Sequence, residues 1–269
     1  MRHRLIATKT LLLVLILSVA AGCAVPRGQE FAEYQAKMKD RGFLRTDPAP
    51  PDVPYTNADL ADHFQRIAFF TYPDDRDRIP KPITRWDRAI TYALVGQRQD
   101  QPLVDAFMER MSRLTGLSAL PVPAKDANFL ILIVQPRQQK TVLRALTKSS
   151  ARSAARSLFR SIHDCGAVVG WSQSEPSITA AMVFLHGDLK GLYRELCFHE
   201  EIAQSLGLFN DDPSVRPSIF NDDDEFALLT THDELLLRIL YDRRLRPGMT
   251  PVEAMPIVRR IIEELRPGL

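Results

Sequence analysis

The chain has 269 residues, of which 45% are hydrophobic and 25% charged, and its formal net charge is +2. These are ordinary globular values for a chain long enough to hold one sizeable domain or two small ones. Nothing in the charge balance indicates nucleic acid as a partner.

The first 22 residues have the pattern of a secretory signal peptide. Three basic residues precede an apolar run at 11–19 that is too short for a stable membrane span, and the small residues 20–22 come directly before Cys23. Because residues 1–22 contain three basic and no acidic side chains, their removal changes the formal charge from +2 to −1.

Small residues directly before a cysteine resemble a bacterial lipobox, in which that cysteine becomes the lipidated first residue. We therefore expect a lipid anchor at Cys23, and each methylene it buries adds about 0.8 kcal/mol to membrane binding. Ala24 follows rather than Asp, which by resemblance to lipoprotein sorting signals favours the outer membrane, with the domain facing the periplasm. A plain signal peptide with a chance cysteine is the alternative.

If Cys23 is lipidated, Cys165 and Cys197 remain as a pair. Disulfides persist in the oxidising compartments that exported chains reach. We therefore predict a bridge between them, and two unpaired buried thiols are the alternative.

Residues 23–56 are predicted to form a Pro-rich linker, with a short helix at 30–39, that holds the domain off the membrane. One domain is expected at 57–269, beginning with a helix capped by Asn57. Further helices are predicted at 101–117, 192–206, 232–241 and 251–265, and strands at 90–95, 128–134 and 177–185. Strands that alternate with helices predict an α/β sheet backed by helices, and an α/β sandwich without a cleft is the alternative.

The helix predicted at 192–206 carries the spacing of a zinc-protease helix without its histidines. Glu200 and Gln204 stand where two ligands one turn apart would be, and Glu201 stands where the general base would be. Asn210, beyond Gly207, takes the place of a third ligand. His199 is one residue too early to replace a ligand.

Four segments together resemble the bacterial domain-of-unknown-function family numbered 2927, most closely from about residue 165 onwards. They are Cys197–Asp211, Ser218-Ile219-Phe220-Asn221-Asp222, Leu240-Tyr241-Asp242 and Pro247-Gly248-Met249. The family has no established activity to carry over. Its layout is similar to that of the metzincin zinc proteases, which implies a zincin-like mixed sheet, then the site helix, then a small helical C-terminal subdomain. In that layout Met249 stands where a Met-turn would be, and the alternative is a core methionine in a tight turn.

The oxygen donors Glu200, Gln204, Asn210 and Asp211 are wrong for zinc and suit a harder divalent cation such as calcium or magnesium. We therefore expect no zinc and no organic cofactor. The alternatives for this set are structural hydrogen bonding, a ligand site, or an active hydrolase that uses Glu201 as general base.

Two charged segments are further candidates. The acidic loop 221–225 lacks the spacing of a calcium-binding EF-hand, so a solvated turn in which Asp222 or Asp223 caps the next helix is favoured. The second segment is a basic series with a spacing of four, which Ser149-Ser150 is expected to divide between two helices. Its members are Lys140, Arg144, Lys148, Arg152, Arg156 and Arg160. Such a face could meet anionic lipid headgroups or an acidic envelope protein, and a solvated face is the alternative.

Four of the histidines, at 63, 163, 186 and 232, are scattered along the chain and predict no ligand cluster. Together these patterns predict a cell-envelope lipoprotein whose domain is a non-catalytic, pseudo-metalloprotease-like binding or scaffold protein. The alternative is a metal-dependent peptidase.

Overall fold

A five-stranded mixed sheet forms the centre of the computed structural model, which describes residues 27–69, 80–171 and 176–268. The strands are β1 (Ile90–Gly96), β2 (Ala119–Pro121), β3 (Phe129–Val134), β4 (Cys165–Trp171) and β5 (Ile178–His186). Their order is β2-β1-β3-β5-β4, and every neighbouring pair is parallel except β4 with β5. The predicted α/β fold class is confirmed.

Eight α-helices surround this sheet within the described ranges. They are α1 (Arg27–Asp40), α2 (Asn57–Ala68), α3 (Gln101–Thr115), α4 (Gln139–Ala145), α5 (Ser149–Ser161), α6 (Gly191–Gln204), α7 (Thr231–Leu240) and α8 (Pro251–Leu265). Thr56, rather than Asn57, caps α2, because its hydroxyl accepts the backbone N–H of Asp59. The expected division of this segment into two helices near Ser149 is confirmed, since α4 ends at Ala145 and α5 begins at Ser149.

The sheet separates two cores. On one face, β1, β3 and β5 pack against α2, α3, α6, α7 and α8 in the larger core, and on the other face α4 and α5 cover a smaller one. All six residues of β3 are buried, because the strand has neighbours on both sides and helices on both faces. Helix α6 and the basic series therefore lie on opposite faces of the sheet.

Residues 27–56 do not form the extended spacer that the sequence predicts, because they pack against the domain. Phe31, Met38 and Leu44 are buried, and Arg45 pairs with Glu225 across 180 residues of sequence. The segment lies against the domain because its apolar side chains find partners there. The predicted signal peptide and Cys23 lie outside the described residues. No helix in the described part of the chain has the length and hydrophobicity to cross a membrane.

The disulfide between Cys165 and Cys197 is present, as predicted, with 5.8 Å between the two Cα atoms. It joins the first residue of β4 to the middle of α6. The two residues are 32 apart in sequence. The bond therefore closes a loop of that length in the unfolded chain and lowers its conformational entropy.

The Cys165→Ser/Cys197→Ser double variant is expected to lose about 2–4 kcal/mol of unfolding free energy, because the unfolded chain regains that freedom. Urea unfolding measures the loss. Wild-type protein treated with a reductant is the control and should unfold at the midpoint of the variant. Two free thiols in unfolded, non-reduced wild-type protein would contradict the assignment.

Candidate functional site: a carboxyl cluster on helix α6

Hydrogen bonds from distant elements hold the C-terminal end of α6. The Trp86 indole N–H donates to the carbonyl of Ser205 at 2.9 Å, and the Tyr241 hydroxyl donates to the carbonyl of Leu206 at 2.7 Å. Both donors satisfy carbonyl groups that a helix end leaves without partners. The chain then turns at Gly207, which has a φ of +116° and where a Cβ atom would lie 2.4 Å from the carbonyl oxygen of Thr84. Only glycine fits this position.

The two carboxyl groups at the centre of the candidate site lie on the part of α6 that this packing fixes. Glu201 is 8% exposed and Glu200 is half-buried. Neither side chain has a hydrogen-bond partner among the described residues. Burial, followed by the charges of Asp211 and Asp164, raises the pKa of Glu201 to about 8.

The pKa of Glu200 is raised well above its ordinary value. Burial is the largest cause, followed by the negative charges of Glu201, Asp211, Asp224 and Asp222. The loop after α6 and the acidic loop therefore bring their carboxylates close to the helix. We call Glu200, Glu201, Asp211, Asp222 and Asp224 the carboxyl cluster.

The amide side chains of the predicted ligand set are held by the protein itself. The Gln204 Nε2 donates to Asp211 Oδ1 at 2.7 Å, and the Asn210 Nδ2 donates to the carbonyl of Arg66 at 2.8 Å. The pKa of the Asp211 carboxyl is raised to about 7, first by loss of hydration and second by the negative charge of Asp222. The residue as a whole is nevertheless exposed. Within the described ranges, no group of three or more His, Cys, Asp or Glu side chains is placed to hold a metal ion. The hard-cation set, which includes two amides, stays a prediction.

The acidic loop does not cap the next helix. Thr230 caps α7, in a reciprocal capping box with Asp233. Asp223 instead accepts the N–H of Glu225 within its own loop, and Glu225 is buried and paired with Arg216. The expected solvated turn is therefore wrong for Glu225, because two arginines reach it from outside the loop.

A family model described as "Protein of unknown function (DUF2927)" matches residues 57–260. The chain belongs to this family. No curated protein and no solved structure matches it.

Two of the segments that carry the DUF2927 resemblance have structural roles. In the segment 218–222, the Ser218 hydroxyl and the Ile219 N–H donate to the fully buried carboxyl of Asp233, which fixes the loop before α7. In the segment 240–242, Tyr241 holds the end of the site helix.

Two tyrosines donate hydrogen bonds to carboxyl groups in and beside the carboxyl cluster, and no sequence pattern indicates them. The Tyr34 hydroxyl donates to Asp224, and the Tyr193 hydroxyl donates to Asp164. The two ring centroids lie 4.8 Å apart, so α1 is joined to the carboxyl cluster. Burial and the neighbouring carboxylates raise both tyrosine pKa values, so both hydroxyls stay protonated donors.

Three buried histidines of the domain make hydrogen-bond contacts within the fold. His63 Nδ1 lies 2.9 Å from His232 Nε2, so these two histidines meet in the fold although they are 169 residues apart in sequence. His199 Nδ1 accepts the N–H of Leu229 at 3.0 Å. Burial lowers the pKa of His199 to about 3 and that of His63 to about 4, so both are neutral at physiological pH.

The remaining candidates are Met249 and the basic series. Met249 closes the predicted turn, where its backbone carbonyl accepts the N–H of Ile83 and its side chain is half-buried against the larger core. Arg152 donates to the carbonyl of Leu146 at the end of α4. The other members of the basic series, Lys140, Arg144, Lys148, Arg156 and Arg160, are exposed.

Replacing Glu201 by Gln is expected to stabilise the domain at alkaline pH. In the unfolded chain this carboxyl ionises near its ordinary pKa of 4.5, whereas in the folded domain it stays protonated up to about 8. The wild type therefore loses up to about 1.4 kcal/mol of stability per pH unit across that window, and the Gln variant does not. The gain should be near zero at pH 4.5 and on the order of 2–4 kcal/mol at pH 8.5.

Urea unfolding at both pH values measures this difference. Glu195→Gln, half-buried on the same helix, is the matched control. A gain of the same size at pH 4.5 and pH 8.5 would show that the ionisation of Glu201 carries no such cost.

Proposed function

We propose that this DUF2927 protein is a lipid-anchored cell-envelope protein whose domain binds a partner at the carboxyl cluster without catalysing a reaction. The binding role is supported by the hydrogen bonding and the protonation of the side chains at the positions that correspond to metal ligands and a general base. Gln204 and Asn210 are engaged in hydrogen bonds with the protein, and Glu201 is protonated at neutral pH. A general base must be ionised when it acts, which a carboxyl group with a pKa near 8 mostly is not at pH 7.

The chemistry of the cluster favours a basic partner segment. Glu201, whose pKa of about 8 keeps it mostly protonated at pH 7, offers a hydrogen-bond donor, and burial raises the pKa of Glu200 in the same direction. The carboxyl groups of Asp211 and Asp222 are exposed to solvent beside them. A cation that approached would favour ionisation of the buried acids and would pair with them. Such an interaction should be steered by charge and weakened by salt.

The envelope location rests on the sequence pattern at residues 11–23. The disulfide between Cys165 and Cys197 supports it, because such bonds persist in oxidising compartments. The sorting argument at Ala24 favours the outer membrane, with the domain in the periplasm.

A peptidase is the second candidate, and one observation favours it. Glu201 is a buried carboxyl with a strongly raised pKa and no partner within the described residues, which is typical of functional sites. In that case a divalent cation held by Glu200, Gln204, Asn210 and Asp211 would supply a Lewis acid.

The anchor is tested by Cys23→Ser in the full-length chain. Labelled palmitate should be incorporated by the wild type and not by the variant, and the variant should move from the membrane fraction to the soluble periplasmic fraction. Palmitate in the variant, or none in the wild type, would rule out lipidation at this residue.

The binding role is tested by Asp211→Lys/Asp222→Lys, which reverses two exposed charges without touching the core. Chemical crosslinking in cells should capture envelope proteins with the wild type and with Glu201→Gln, and should lose them with the double variant. Glu109→Lys, an exposed charge reversal on α3, is the control.

The peptidase predicts a different outcome for the same proteins. Purified wild type would contain stoichiometric metal by elemental mass spectrometry, a Glu200→Ala/Gln204→Ala variant that still folds would lose it, and Glu201→Gln would abolish hydrolysis. Those results would replace the binding role by catalysis.

A further inference from the structure

A cavity of about 390 Å³ lies on the opposite face of the sheet from the carboxyl cluster. Its volume is within the roughly 300–1,000 Å³ of small-molecule sites. Helix α5 and strands β3, β4 and β5 form its walls, which are mostly apolar. The main wall residues are Ala127, Leu130, Ala151, Ala154, Val168 and Met182. Because alanines stand where larger side chains would close the gap, the space between helix and sheet stays open.

The mouth of this cavity is the N-terminal end of α5. Thr147, Lys148 and Ser150 line the cavity and are exposed, so it opens to solvent there. No side chain caps this helix, and the N–H groups of residues 149–151 have no acceptor in the part of the chain that the structure describes. An uncapped N-terminus of a 13-residue helix attracts anions through its free N–H groups and its dipole.

The charged side chains of α4, α5 and the loop between them have one sign. The sequence contains no Asp or Glu between Asp126 and Asp164. None of the lysines and arginines in this interval forms an ion pair with a described residue, and Lys148 is one of the residues that line the cavity. The apolar interior suits a hydrocarbon chain and the cationic mouth suits an anionic group, so together they favour an anionic amphiphile.

We propose that this cavity binds one acyl chain of a single-chain anionic amphiphile, with a phosphate or carboxylate headgroup at the N-terminus of α5 beside Lys148. The apolar walls remove the acyl chain from water, and the headgroup accepts the free N–H groups and pairs with the lysine. The site shares no residue with the carboxyl cluster, so either proposal can fail without the other.

The test is calorimetric titration of the full chain with dodecyl phosphate below its micellar concentration. We expect one molecule bound per chain. Lys148→Glu should weaken binding by about tenfold or more, because it places a negative charge at the headgroup position. Ala154→Leu, which fills the cavity, should do the same, and Ala151→Leu is a second cavity-filling variant should the first fail to fold.

Arg160→Glu is the matched control, because it makes the same charge change at the other end of α5, about 16–18 Å away along the helix axis. It should change the affinity for dodecyl phosphate by less than about threefold. Butyl phosphate, which lacks the long chain, and dodecyl maltoside, which lacks the charge, should both bind at least about tenfold more weakly.

Vesicles containing phosphatidylglycerol separate the cavity from a membrane-docking face. Binding to vesicles without binding to dodecyl phosphate would overturn the proposal. The proposal would also be overturned if Lys148→Glu and Arg160→Glu lowered the affinity for dodecyl phosphate equally while the cavity-filling variants did not lower it. General attraction to the basic face would then explain all binding. No binding of dodecyl phosphate at all would also overturn it.

Discussion

The burial of helix α6 is the constraint on which the candidate site depends. Eight of its fourteen residues are buried, because the helix packs against β4, β5 and α1 and its Phe198 contacts Phe107 of α3. Its end is held by Trp86 and Tyr241, and its middle is bonded to β4 through Cys197. A helix fixed in this way cannot rotate to return Glu201 to water. The energetic cost of its ionisation follows from the packing, since a charge taken out of water is costly unless it is paired.

Because α6 is fixed, its metalloprotease-like spacing does not by itself provide a catalytic base. In a catalytic helix, the residue after the first ligand must be an ionised base close to an activated water. Here that residue is a neutral acid at physiological pH, and the amides at the ligand-like positions already have partners in Asp211 and Arg66. The similarity to metzincins stays a prediction, and the chemistry of these side chains supports the proposed binding role.

Sequence patterns predicted the elements whose periodicity is strong. The apolar run of β3, the spacing of α6 and the end of α6 before Gly207 are local signals, and each lies within two residues of its prediction. Strand β4 was missed because it is an edge strand with two glycines and exposed positions, so it shows no buried alternation. The disulfide could be predicted because only two cysteines remain once Cys23 is set aside.

The contacts that complete the site have no local signal. Tyr34 and Asp224 are 190 residues apart, and His63 and His232 are 169 apart. Helix α1 looked like part of a linker because prolines follow it, yet burial of Phe31 and Met38 attaches it to the domain. Long-range pairs of this kind depend on how the whole chain packs, which composition and spacing do not determine.

The most direct test of the account is the ionisation of Glu201 in the folded, full-length protein. Carbon-detected NMR of glutamate-labelled chain, with Glu201→Gln to assign the signal, would follow its carboxyl carbon from pH 4 to pH 10. We predict a midpoint near pH 8, because burial and neighbouring carboxylates oppose the charge. A midpoint at its ordinary value near 4.5 would contradict it. Glu201 would then be an ionised base at neutral pH, as a hydrolase requires.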